Sequence, residues 1–160
     1  MINIEVFTDG SCMKGRKVIG GYGIHFPNKE HRDLSRPFLH PPVTNQRAEL
    51  YAIYAAIAII KKKIKIYDKI TIFTDSEYSI KSLTIWMYQW MKNNWQTAGN
   101  QDVKNQDILK PLYSIISKQK SKIIFHHVRS HTGKQDRLSI GNSIADKLAT
   151  DGARRTNDDK

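Results

Sequence analysis

Four short acidic segments follow one another along the chain: Phe7-Thr8-Asp9-Gly10-Ser11, Thr44-Asn45-Gln46-Arg47-Ala48-Glu49-Leu50, Phe73-Thr74-Asp75-Ser76 and Gly141-Asn142-Ser143-Ile144-Ala145-Asp146. Each falls where a strand or helix should begin or end. Brought together, Asp9, Glu49, Asp75 and Asp146 would put four carboxylates in one site. Carboxylates that close repel unless cations lie between them, and an all-oxygen ligand set suits hard divalent metals. Taken singly, each acid is as easily a helix cap or a solvated charge. The ordered set of four carries the chemistry. Around it the chain is basic, with a formal net charge of +11 and a pI near 9.8. Such a charge favours polyanionic partners through steering and counterion release, although a merely lysine-rich surface would show it too. An acidic metal pocket in a basic protein points to a nuclease.

These residues need elements to position them. Ile2, Ile4 and Val6 alternate with polar or opposite-face positions, the pattern of a first strand. A second strand is expected over 20–26, where glycines suggest bulges or close backbone approach. A third is expected over about 31–38, ahead of Pro41-Pro42. Thr44 is an N-cap for the strongest helix, over 45–60. Residues 69–74 alternate as a strand, Ser76 caps the next helix, and a Trp-rich stretch runs from 86 to 95. A helix over 105–118, a strand from Ile123 and a last helix from Ser139 to about Ala153 complete the chain. Three strands followed by helix–strand–helix–strand–helix give an α/β fold. The expected sheet is mixed and five-stranded, three antiparallel strands then two parallel, with helices on both faces. In such sheets functional groups gather at strand ends near a topological switch. Asp9 and Asp75 would meet there if their strands are neighbours.

The same segments, with His131-Thr132-Gly133, resemble type 1 ribonuclease H, the family that cuts the RNA strand of RNA–DNA hybrids. The resemblance covers about residues 2–153 and implies the RNase H-like fold. It implies that Asp9, Glu49, Asp75 and Asp146 are ligands of two Mg²⁺ ions, with Mn²⁺ a possible substitute. His131 would assist proton transfer or product departure; its bland alternative is an ordinary loop histidine. Thr44, Asn45 and Gln46, with Gly10, Ser11 and Cys12, would contact the hybrid, whose A-form minor groove exposes 2′-hydroxyls. Tyr78, Trp86 and Trp90 would pack along the DNA strand, although Trp86 and Trp90 read equally well as a core stripe. Asn105 would hold a DNA phosphate. The implied products carry 5′-phosphate and 3′-hydroxyl ends.

Several positions depart from the family pattern. The segment Trp90-Met91-Lys92-Asn93-Asn94-Trp95-Gln96, where many members carry a dense basic handle, has one lysine, and Pro42 stands where some have an arginine. The 131–146 stretch is longer than the commonest pattern and holds Lys134 and Arg137, which would replace some of the lost basic contacts. The run Lys61-Lys62-Lys63 suits the negative end of a helix dipole.

With one cysteine, Cys12, no internal disulfide can form. No apolar run approaches the ~20 residues of a membrane span, and no signal-peptide pattern opens the chain. The expectation is therefore an intracellular monomer, cytoplasmic or nuclear, that meets no membrane. Residues 1–153 would form the catalytic domain and 154–160 a polar tail. Other readings remain open at this point: the nuclease domain of a larger reverse transcriptase or retroelement protein, a catalytically silent hybrid-binding module, or an exonuclease or transposase-like enzyme on the same fold.

Overall fold

The computed structural model describes residues 2–119, 121–130, 133 and 135–156. Five strands form one sheet in the order β3-β2-β1-β4-β5. They are β1 (Asn3–Met13), β2 (Ile19–His25), β3 (Leu34–Phe38), β4 (Lys69–Thr74) and β5 (Lys122–His127). β1 pairs antiparallel with β2, and β2 with β3; β4 lies parallel to β1, and β5 to β4. The mixed sheet expected from the pattern is therefore present. One detail differs. Asp9 does not end its strand, because β1 continues to Met13 along β2. What ends is the pairing with β4, whose last partners are Phe7 and Phe73. Beyond them β4 turns off into a helix and leaves a notch beside Asp9.

Helix α1 (Asn45–Lys63) starts as the sequence predicts: extended Thr44 caps it, its Oγ1 accepting from the Arg47 amide at 3.1 Å. Leu50, Ile53, Ala56, Ile57 and Ile60 recur at helical spacing and are fully buried. They pack on Ile4, Val6, Ile70 and Ile72 of the sheet and on Ile108, Leu109 and Leu112 of α4 (Gln106–Ser117). The opposite face carries a smaller cluster of Phe7, Phe73, Val128 and Ala145, covered by α5 (Arg137–Arg155). Val6 and Phe7 divide between the two cores because successive strand residues point to opposite faces.

The Trp-rich stretch is helical but irregular. α2 (Glu77–Lys81) runs into a π-helical turn (Ser82–Trp86) and then α3 (Met87–Lys92). The Met87 amide reaches back five residues to the Ser82 carbonyl. Ser76 caps α2 as expected, its hydroxyl accepting from the Ser79 amide at 3.1 Å. α5 begins at Arg137, two residues before the expected Ser139, and continues to Arg155.

The glycines of β2 serve close approach, not bulges. A Cβ on Gly23 would lie 2.4 Å from the Ala145 carbonyl oxygen, and one on Gly21 would lie 2.2 Å from the Ala153 amide. With Ala145, Ala149 and Gly152 on the facing side, α5 lies flush in a trench where any side chain would lift it.

Candidate active site

The sheet and two helices converge on the notch beside Asp9. Asp75 follows the last residue of β4, so the parallel register that pairs Phe7 with Phe73 brings it next to Asp9. Glu49 comes from the second turn of α1. That helix rests on bare backbone: a Cβ on Gly10 would be 2.3 Å from the Glu49 amide nitrogen. Carboxylate oxygens of Asp9, Glu49 and Asp75 lie within 4.8 Å of one another, a group that could hold a metal ion. Asp146 arrives from the other face on α5, at the level that the glycine trench sets. It interacts with the Asp9 side chain and adds charge repulsion on Glu49. Thus three of the four expected acids form one compact group, and Asp146 flanks it.

The electrostatics are those of buried carboxyls that repel one another. Asp9 is 3% exposed. Burial, first, and the Glu49 and Asp75 charges, second, push its carboxyl far above the ordinary range. Burial raises the Glu49 carboxyl as well; its hydrogen bond with Asp9 partly offsets this, and Asp75 and Asp146 add to the rise. Glu49 Oε2 is buried without a hydrogen-bond partner among the described residues. A buried carboxylate oxygen without a hydrogen-bond partner, in a group of three acids, is what a divalent cation satisfies. Softer metal ions favour nitrogen or sulfur donors, whereas an all-oxygen set of this kind suits hard divalent cations.

Two buried polar residues, given no role in the sequence reading, support the group. Asn142, 4% exposed, directs its Nδ2 to Asp75 Oδ2 at 3.5 Å. It sits one turn before Asp146, so the i, i+4 spacing could have flagged it. Arg47, 3% exposed, forms a fork with Asp107 (2.7 and 2.6 Å) and donates to Asn105 Oδ1 at 3.3 Å. It also reaches the His40 and Pro41 carbonyls, each at 3.4 Å. Its side-chain partners, Asn105 and Asp107, lie 58 and 60 positions away, and no local pattern announces them.

Through that arginine the start of α1 is tied to the start of α4. Thr44, Asn45 and Gln46 are exposed on one side. On the other, Asn105 precedes α4 in a left-handed conformation (φ 69°) and donates from Nδ2 to the Tyr78 hydroxyl at 2.9 Å. Tyr78 packs edge-on to Trp86, and Trp86 lies 5.9 Å from Trp90, so these three side chains form one row. Trp90 and Tyr78 also touch the core while Trp86 does not, so the stripe and the surface readings divide between them. Gly10, Ser11 and Cys12 continue β1 past Asp9, and Cys12 Sγ faces the Val43 carbonyl at 3.7 Å. Arg137 donates to Glu5 at 3.0 and 3.2 Å and lies 5.9 Å from the Phe73 ring centre, although its side chain remains 62% exposed. His126 and His127 are both exposed, the first against Phe73 and the second 4.0 Å from Glu77. His131, Thr132 and Lys134 lie outside the described residues.

The RNase H family model matches residues 2–154. The chain belongs to the RNase H family. Ribonuclease H of Orientia tsutsugamushi is 37% identical over 151 residues, spanning 94% of this chain and 82% of that protein. Ribonuclease HI of Haemophilus influenzae is also 37% identical, spanning 94% and 89%. In structure, the PFV RNase H domain superimposes with a TM-score of 0.75 at 25% identity, spanning 94% of each chain. As a member of the RNase H family the protein is a hydrolase acting on the RNA of RNA–DNA hybrids, and the acidic notch is the place in the fold to look for that chemistry.

Proposed function

We propose that the enzyme is an endoribonuclease that hydrolyses the RNA strand of RNA–DNA hybrids with divalent metal, leaving 5′-phosphate and 3′-hydroxyl ends. The observation that carries this is the group formed by Asp9, Glu49 and Asp75, with an orphaned Glu49 oxygen, at the mouth of a basic protein. Asp9, Glu49, Asp75 and Asp146 would hold two Mg²⁺ ions, or Mn²⁺ in their place, which supply Lewis acidity and an activated water for in-line displacement at phosphorus. Asn142 keeps Asp75 turned inward. Asn45 and Gln46, exposed at the start of α1, can both donate to and accept from 2′-hydroxyls. Asn105, fixed between Arg47 and Tyr78, offers its amide to a phosphate of the DNA strand. Trp86 and Trp90 lie beside that strand, and Gly10, Ser11 and Cys12 line the path of the RNA. His131 supplies or receives a proton as the 3′ oxygen leaves. The enzyme works as an intracellular monomer.

Matched RNA–DNA, RNA–RNA and DNA–DNA duplexes, incubated with Mg²⁺ or with EDTA, test the proposal. Only the hybrid with Mg²⁺ should be cut, and Asp75→Asn should lower turnover more than tenfold, a barrier change above ~1.4 kcal/mol. Equal cutting of duplex DNA, or cutting in EDTA, overturns it.

A further inference from the structure

Six lysines gather at the end of the molecule opposite the carboxylates. Lys61, Lys62 and Lys63 form the last turn of α1, Lys65 follows it, Lys118 ends α4 and Lys122 opens β5. All six are exposed, and among the described residues none forms an ion pair. Lys61, Lys62, Lys65 and Lys118 ring a recess of about 410 Å³ that Tyr67 and Gln119 also line. The Tyr67 and Ser121 hydroxyls both donate to Gln119 Oε1, at 3.1 and 3.2 Å. Gln119 Nε2 is left a buried donor without a partner among the described residues.

Helix dipoles do not account for this cluster. The C-terminal ends of α1 and α4 meet here, and each carries roughly half a negative charge. That is about one unit against six lysines. The excess repels itself, and an external polyanion relieves the repulsion. Ile66, 73% exposed, is the one large apolar side chain exposed in this segment. A membrane-surface helix buries a broad apolar face, which one isoleucine does not provide.

We propose that this lysine-rich end is a second nucleic-acid contact, binding the phosphate backbone of a duplex outside the carboxylate notch. Its placement keeps it clear of the chemistry. From Glu49 to Lys62 along α1 is about 20 Å at 1.5 Å per residue. β4 and β5 begin at the lysines, and β4 finishes at the notch. A duplex held here stays near the enzyme without entering the site, which offsets the single lysine of the Trp90–Gln96 segment.

Fluorescence anisotropy in EDTA, with a DNA duplex and an RNA–DNA hybrid of about three helical turns, tests this. The variant K61A/K62A/K65A/K118A should bind both about tenfold or more weakly at ~50 mM salt, with a log K against log salt slope shallower by about 3. Its kcat on a short hybrid at saturation should stay within about twofold of the parent. The anisotropy arm does not depend on cleavage, so failure of the proposed reaction and failure of this contact are distinguishable. If the fourfold variant melts early, K65A/K118A replaces it, with about half the slope change expected. Unchanged affinity and slope overturn the proposal. So does a loss confined to phosphatidylserine vesicles, which would assign the patch to a membrane.

Discussion

Asp9→Asn should make the metal-free protein more stable while removing its response to metal. Asp9 is 3% exposed, and its carboxyl titrates far above the 3.8 of a free aspartate, chiefly because burial and the Glu49 and Asp75 charges oppose ionisation. A carboxyl raised in the folded state contributes stability that is complete below its unfolded pKa. That stability is lost as pH rises toward the folded value. Each pH unit above the unfolded value weakens the fold by up to about 1.4 kcal/mol. Between the unfolded value and pH 7 the loss is bounded near 4 kcal/mol, and relaxation or water entry brings it to roughly 2–4. Asparagine has the same shape, carries no charge and can still donate to Glu49. In EDTA at pH 7 the variant should therefore melt about 5–12 °C above the parent, and near pH 4 the two should converge. Adding Mg²⁺ should raise the parent's melting temperature and leave the variant's nearly still. Thermal unfolding followed by circular dichroism from pH 4 to 8, with EDTA or Mg²⁺, reads both effects. A variant no more stable than the parent at pH 7 in EDTA would refute the claim that the notch stores electrostatic repulsion.

Other substitutions probe the scaffold around the notch. Arg47→Lys keeps the charge but loses the fork that spans Asp107, Asn105 and two carbonyls; denaturant melts should show a loss of about 1–3 kcal/mol, and KM for hybrid should rise more than kcat falls. Asp107 is held below the usual carboxylate range by that arginine, so its contribution is present above the unfolded value and fades as pH falls through the folded one; because its side chain is 62% exposed, water screens most of it. Gly23→Ala presses a methyl group into the Ala145 carbonyl and should destabilise by about 1–3 kcal/mol, with weaker Mg²⁺ binding in a thermal-shift titration as α5 lifts Asp146. Arg137→Ala should leave the salt slope of hybrid binding unchanged, since its guanidinium is already engaged by Glu5; a shallower slope would show that it reaches phosphate. His131→Ala should slow multiple turnover while leaving measurable cleavage, a loss of ~10²–10⁴-fold at most for a proton-transfer role.

Much of this architecture is written in local patterns. Thr44 ahead of an alanine- and isoleucine-rich run has few alternatives to starting a helix, and the alternation in 69–74 has few to a strand. Asp9, Glu49 and Asp75 were legible through the short runs around them: Asp75 directly follows β4, Glu49 lies one turn behind the Thr44 cap, and Asp9 sits where the pairing of β1 with β4 stops. What stayed hidden depends on partners distant in sequence. Nothing near Arg47 reveals Asp107, and an isolated reading makes Arg47 a surface charge. The continuation of β1 past Asp9 depends on β2, whose glycines suggested bulges or close backbone approach alike; only helix α5 packed against them decides for close approach. The π-helical turn at Ser82–Trp86 inserts a residue into an otherwise regular period, which a 3.6-residue template cannot register. Arg137 looked free for phosphate until Glu5, 132 positions earlier, was found beside it.

The flush seating of α5 also has a consequence in time. A ribosome makes β1, α1 and β4 first, so Asp9, Glu49 and Asp75 exist in the nascent chain before Asp146 does. Until α5 emerges, the glycine trench of β2 and the Phe7–Phe73 stack have no cover. The growing polypeptide holds three mutually repelling acids on a half-clothed sheet. Covering the second face of the sheet and bringing Asp146 beside the other acids are thus one event, the docking of a single late helix. A chain that ends before that helix leaves the Phe7–Phe73 face of the sheet uncovered and lacks Asp146.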